Sequence, residues 1–266
     1  MRPLIVANWK MNPQTLAKAK QLFNSVKKGI KNIKNVEIVI CPPFVYIPTF
    51  QHSNPEPEPS VRYGASIPTI KLGAQNCFWE NSGPFTGEIS PLMLKNFGCQ
   101  YVILGHSERE RCFGETDEMT NKKVKAALSA KLKPILCIGE TKKVKKKKEI
   151  FKILKKQLRA GLKGIENWKL EIENLIIAYE PVWAVGTGNP CQTKGAKISL
   201  FMIRKIISQL FNPTLSKKIK IIYGGSINSK IAKDYIKEAK FQGLLIGGAS
   251  LNAKEFIKIV KEVAQA

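Results

Sequence analysis

Histidine is almost missing from this chain, and acid is scarce: two His, and 20 Asp and Glu against 44 Lys and Arg. The six cysteines (Cys41, Cys77, Cys99, Cys112, Cys137, Cys191) form no C-x-x-C pair and no zinc-like spacing with His, so no metal site is expected. Reduced thiols in a cytoplasmic protein are the plain reading. Cys41 and Cys137 close apolar runs, where a thiol is a small hydrophobe more often than a ligand. No stretch reaches 18 apolar residues, which excludes an ordinary membrane span. Met1 to Lys10 lacks a basic region followed by a long apolar stretch, so no secretory leader is expected.

The shortage of acid leaves a formal net charge of +24, which favours anionic partners. Nucleic acid is one such partner. The densest basic run, Lys142 to Lys148, has no interleaved aromatics on which bases could stack, and the excess is mostly Lys spread along helix faces. A lysine-biased composition is therefore preferred to nucleic-acid binding.

The chain has 266 residues, 44% of them hydrophobic, enough for two small domains or one large barrel; about 250 residues is typical of a (β/α)8 barrel. Eight near-continuous apolar runs recur: Leu4–Ala7, Val36–Cys41, Ile70–Ala74, Tyr101–Leu104, Pro134–Ile138, Leu175–Tyr179, Ile219–Tyr223 and Gly243–Ile246. Such runs suit strands covered on both faces. Amphipathic segments lie between most of them. Thr15 to Lys28 places Leu16, Ala19, Leu22, Phe23 and Val26 on one face, and Ile150, Ile153, Leu154, Gln157, Leu158 and Leu162 form a second stripe. Thr116, Thr193 and Asn228 stand where helix N-caps are expected. Alternating strands and helices imply a parallel sheet with right-handed crossovers. We expect an α/β chain forming one (β/α)8 barrel domain over residues 1–266; an open doubly wound sheet is the alternative. His52 to Ser66, with Pro55, Pro57 and Pro59 among Glu and Ser, reads as an exposed, stiff loop insertion.

In a barrel the reactive groups follow the strands, at the C-terminal face. The strand ends supply Asn8-Trp9-Lys10, Gly105-His106-Ser107-Glu108-Arg109, Glu180, Tyr223-Gly224-Gly225-Ser226 and Gly247-Gly248-Ala249-Ser250. Taken singly, Lys10 could be a solvated lysine, His106 a structural histidine, and Glu180 a salt-bridged rim carboxylate. Together they offer a cation, a proton-handling imidazole and a general base around one mouth. Glu180 follows a long apolar run, and desolvation there raises its proton affinity towards what a base needs. The Gly-Gly pairs after strands seven and eight lack Cβ, so backbone N–H groups can approach an anion closely, and phosphate is favoured there.

These segments, with Tyr179-Glu180-Pro181-Val182-Trp183-Ala184-Val185-Gly186-Thr187-Gly188 among them, resemble the signatures of the triosephosphate isomerase family, in the family's order and across the chain except the Pro-Glu-rich insertion. The resemblance implies a cofactor-free, metal-free isomerase that interconverts dihydroxyacetone phosphate and glyceraldehyde 3-phosphate. It implies Glu180 as the base, His106 as the electrophile, Lys10 as the cation facing enediolate and phosphate, Asn8 as an orienting residue, and Glu108 as a supporting carboxylate. Backbone groups of Gly186, Ser226, Gly247 and Gly248 would hold the phosphate, under a lid formed by Pro181 to Cys191. Gly73 to Asn76 and Gly83 to Glu88 are similar to the family's third loop, which implies a homodimer with Thr86 near the partner's site.

Three positions depart from that pattern: Glu110 with Arg111 one place later, Gln242 before strand eight, and Asn189-Pro190-Cys191 ending the lid. None removes a reacting group. Two rivals stand beside the isomerase: a Schiff-base aldolase using Lys10, and a basic nucleic-acid scaffold that has lost catalysis.

Overall fold

The computed structural model describes residues 2–51, 70–141, 144, 146–165 and 171–266. Eight parallel strands close into a barrel in chain order: β1 (Leu4–Asn8), β2 (Glu37–Cys41), β3 (Lys71–Ala74), β4 (Cys99–Leu104), β5 (Lys133–Ile138), β6 (Ile176–Tyr179), β7 (Lys220–Tyr223) and β8 (Gly243–Ile246). The doubly wound alternative falls on closure, because β1 pairs with both β2 and β8. The expected insertion at His52 to Ser66 lies outside the described residues.

Alternation along each strand explains the unbroken apolar runs. Leu4, Val6, Val39, Cys41, Tyr101, Ile103, Ile135, Cys137, Ile176, Ala178, Ile222 and Leu245 form one buried cluster inside the barrel. The residues between them, such as Ile5, Ile38, Val102, Leu136 and Ile177, join a larger cluster beneath the helices. With both faces dry, a strand has no position for a polar side chain until it reaches an end.

The described helices between the strands are α1 (Leu16–Ile30), α2 (Ile47–Gln51), α3 (Pro91–Asn96), α4 (Ser107–Phe113), α5 (Asp117–Ser129), α6 (Lys147–Gly161), α7 (Thr193–Leu210), α8 (Pro213–Lys218), α9 (Ala232–Lys237) and α10 (Ala253–Ala264). In α1 the expected face is buried through Ala19, Leu22, Phe23 and Val26, but Leu16 is 42% exposed because the first turn projects beyond the core. Phe23 stacks on Phe50 at 4.3 Å, and Phe50 meets the edge of buried Trp9 at 5.9 Å. That aromatic chain fixes the backbone next to Lys10; truncating Phe23 to Ala costs about 3–5 kcal/mol by loss of such packing.

The caps follow the sequence in part. Thr116 caps α5 by accepting from the Met119 N–H. Thr193 is instead the first helical residue of α7, with Gln192 at the cap and its hydroxyl donating to Glu238. Asn228 heads a turn, accepting from the Lys230 N–H, and α9 begins only at Ala232. In α6 the odd member of the apolar stripe, Gln157, donates to Gly139 O and accepts from Gly139 N. It locks the end of β5 in place.

Candidate active site

Asn8, the last residue of β1, is buried and accepts the Lys10 N–H at 3.0 Å. Lys10 itself has φ 53°, a left-handed conformation that is uncommon outside Gly, Asn and Asp. Gln75, the residue directly after β3, donates to Lys10 O at 2.8 Å and to Cys41 O at 2.9 Å. The turn is thereby held so that the Lys10 ammonium reaches Glu108 at 2.5 Å.

His106 occupies the N-cap of α4, and its Nδ1 accepts the Glu108 N–H at 3.2 Å. A nitrogen that accepts carries no proton, so the ring hydrogen is on Nε2. Nε2 faces Glu180 Oε1 at 3.5 Å, too long for a strong hydrogen bond, so both groups stay available to a ligand.

Glu180 follows β6 directly and is 2% exposed. Its N–H is fixed by Ile138 O at 2.8 Å, while Oε2 has no hydrogen-bond partner. Burial pushes its carboxyl above the ordinary value; His106 and Lys10 pull it part of the way back. Two glycines make room for it. A Cβ on Gly139 would lie 1.8 Å from Glu180 O, and one on Gly224 would lie 2.7 Å from Glu180 Cγ.

These groups line one cavity of about 190 Å³, together with Gly186, Gly188, Ser226, Gly247 and Gly248. Asn8, Lys10, His106, Glu180, Gly186, Ser226, Gly247 and Gly248, distant in sequence, are thus brought together. Glu108 stands at its edge through the Lys10 pair. Thr86 is not part of it; it lies on an exposed loop, where Phe78 stacks against Trp79 at 4.0 Å. A larger cavity of about 580 Å³ lies beside α5 and α6, but Glu110, Glu115, Asp117 and Glu118 line it, which suits an anionic ligand poorly.

The reading of Gly224-Gly225 as anion-binding backbone needs correction at Gly224, whose N–H is already spent on Tyr179 O at 2.8 Å. Gly225 lines the cavity, and a Cβ on it would meet the Tyr223 hydroxyl at 2.1 Å. Gly247 and Gly248 face the cavity, although β8 leads first into a 3-10 turn, Gly248–Leu251, and α10 starts only later.

The segment Pro181 to Cys191 begins with a 3-10 turn at Val182–Ala184 and lines the cavity through Val185, Gly186 and Gly188. Trp183 Nε1 donates to Glu140 Oε1 at 2.8 Å, and the Tyr179 hydroxyl donates to the same carboxylate. At the other end Cys191 N–H donates to the Tyr223 hydroxyl at 3.1 Å, and Cys191 O accepts from the Tyr235 hydroxyl. Gln75, Gly139, Glu140 and Tyr235 do not stand out in the sequence as functional. Gln75 and Gly139 carry a signal, since each comes directly after a strand as the chosen residues do; the other two carry none.

The comparisons agree with this geometry. The family model described as triosephosphate isomerase matches residues 3–263. The chain belongs to the triosephosphate isomerase family. A relative of that name from Dictyoglomus turgidum is 42% identical over 98% of this chain and 99% of its own length. One from Aquifex aeolicus is 43% identical over 98% and 99%. The crystal structure of triosephosphate isomerase from Bartonella henselae is 34% identical, covers both chains completely and superposes with a TM-score of 0.82. The chain is accordingly an isomerase built on the barrel of that family.

Proposed function

We propose that this mouth carries the family's reaction, the interconversion of dihydroxyacetone phosphate and D-glyceraldehyde 3-phosphate, with Glu180 as the base. The supporting observation is a buried carboxylate with a free oxygen, 3.5 Å from a neutral imidazole N–H and beside a lysine in a small cavity. Glu180 removes a proton from C1 of the ketose, and the electron pair of that C–H bond moves into the new C–C double bond. The carbonyl electrons pass to oxygen, giving an enediolate; the hydroxyl proton on O1 then moves to O2, and return of the proton from Glu180 to C2 as the O1 electrons form the new carbonyl gives the aldose. His106 Nε2–H donates to the oxygen on which charge develops, and Lys10 stabilises that charge and the phosphate. Asn8 orients Lys10 through its backbone, and Glu108 holds the ammonium in place. Backbone groups of Gly186, Ser226, Gly247 and Gly248 receive the phosphate.

Residues 1–266 act as one barrel domain in this reading. The active form is a cytoplasmic homodimer with Thr86 directed at the partner's mouth; exposed Met11, Val45 and Phe85 are apolar surface of the kind assembly covers. Triose phosphate, not nucleic acid, is the anionic partner. Among the described residues no helix is long and apolar enough to cross a membrane, and no group of three metal-type ligands occurs.

A coupled assay of triose phosphate interconversion, run with wild type and Glu180→Gln, tests the assignment. Gln keeps the size but cannot accept the proton, so kcat falls by about 10²–10⁴ while substrate binding changes little. Equal activity refutes it. Borohydride added with substrate leaves no adduct on Lys10; a covalent adduct there would select the aldolase.

A further inference from the structure

The opposite end of the barrel carries charge that the reaction does not use. Lys71, Lys133 and Lys220 are the first residues of β3, β5 and β7, and Glu37 is the first of β2. Each lies two residues before a position that faces the barrel interior: Gly73, whose Cβ would meet Cys41 and Val39, then Ile135, Ile222 and Val39. Strand alternation therefore turns all four side chains towards the axis, in a layer closing the N-terminal mouth.

That layer is unbalanced. Glu37 Oε1 accepts from Lys71 at 2.6 Å and from the Tyr101 hydroxyl at 2.5 Å, and Oε2 from Lys220 at 3.1 Å. Lys133 has no carboxylate partner among the described residues; its ammonium lies over the Tyr101 ring, 5.4 Å from the centroid. Just outside opens a cavity of about 330 Å³ lined by Glu37, Lys133, Glu173, Asn174, Lys218 and Lys220. Lys218 is matched by Glu173 at 2.6 Å. With Lys71, four ammonium groups face two carboxylates among the described residues, and Lys95 adds a further cation near Lys133. Burial and the neighbouring Lys71, Lys220 and Lys95 cations push Lys133 below the ordinary lysine value, against the opposing pull of Glu37.

We propose that this N-terminal mouth is a second anion site, binding a small phosphate dianion between Lys133, Lys218 and Lys220. A dianion answers the excess of positive charge among the described residues, and its oxygens accept the ammonium donors that Glu37 and Glu173 leave free. The cavity is too small for a polymer, and Tyr101 is too buried to serve as a stacking platform for bases. The site lies at the far end of the barrel from Glu180 and does not depend on the isomerase assignment.

Pyridoxal 5′-phosphate followed by borohydride reads it out on the native chain. The aldehyde condenses with a neutral Lys Nζ, releasing water; borohydride delivers hydride to the imine carbon and solvent supplies the proton to nitrogen. Peptide mapping shows Lys133 labelled about tenfold faster than exposed lysines such as Lys146, as expected of a charged cleft that concentrates the reagent. Pyridoxal without the phosphate shows no such preference, and inorganic phosphate or glycerol 3-phosphate suppresses it. Whichever protects at lower concentration tells a free ion from an ester. Lys218→Met weakens the preference and leaves isomerase activity unchanged. Labelling of Lys133 at the common rate, or labelling indifferent to phosphate, overturns the proposal. An adduct on Lys10 is mapped separately and reports only on the other mouth.

Discussion

Glu180 illustrates how one position can hold opposing demands. Burial raises its proton affinity, while His106 and Lys10 lower it. The base must be charged to act, so a raised value moves the acid limb of the pH profile upward. The expected outcome is a kcat/KM that falls with decreasing pH through a value above the ordinary 4.5; a limb at or below 4.5 contradicts the burial argument. Gln242 shows the reverse case, a neutral side chain set beside a buried cation. Arg204 reaches Gln242 Oε1, Ser216 O and Ile219 O, and the same Oε1 accepts the Ile221 N–H at 2.9 Å. The guanidinium thus sits among neutral acceptors, and burial lowers it to about 10. Gln242→Ala orphans donors from both Arg204 and Ile221, with an expected loss of about 1–3 kcal/mol in urea unfolding. A loss under a few tenths would mean that water replaces the amide at no cost.

At the level of elements, the strands and the residues directly after them are legible in the sequence, for a physical reason. A strand dry on both faces admits only apolar side chains, so its end is marked by the first polar residue, and at Asn8 and Glu180 that residue lines the cavity. Helix starts are less legible, because Thr193 and Asn228 have cap chemistry yet the chain enters its helices elsewhere. The glycines mislead for a related reason. A sequence cannot tell a glycine that frees its N–H for a ligand from one, like Gly224, that yields space to a neighbouring side chain. Gln75 is marked by its place directly after a strand, but its role of holding two backbone carbonyls is not one that place reveals. The segment expected to act as a lid combines both kinds of information. Pro190 restricts its own φ and that of Asn189, and Cys191 is pinned through Tyr223 and Tyr235. Gly186 and Gly188 have φ 71° and 77° with nothing near a hypothetical Cβ, so conformation alone constrains them. Flexing is expected to concentrate at Gly186 to Gly188 while Cys191 stays put. Crystal structures with and without phosphate check this: a dihedral change above about 30° at Asn189 or Cys191, beyond ordinary scatter, with none at the glycines, would end the idea.

Across the whole molecule, the barrel separates two charged mouths by a dry interior. The net charge of +24 surrounds a small site whose substrate is an anion. Such a field steers capture and is screened beyond about 10 Å at 0.1 M salt. Accordingly kcat/KM is expected to fall as salt rises, after correction for competition by the salt's own anion; a flat response would reduce the charge to compositional bias. The central claim concerns a single proton. Converting dihydroxyacetone phosphate to glyceraldehyde 3-phosphate in deuterium oxide tests it most directly, with the product trapped as it forms and its C2 position read by NMR. Transfer by Glu180 through an enediolate lets the abstracted proton exchange with solvent, so deuterium appears at C2, and Glu180→Gln slows its appearance together with isomerisation. Product free of deuterium, formed at the full rate by wild type and by Glu180→Gln alike, would contradict the account.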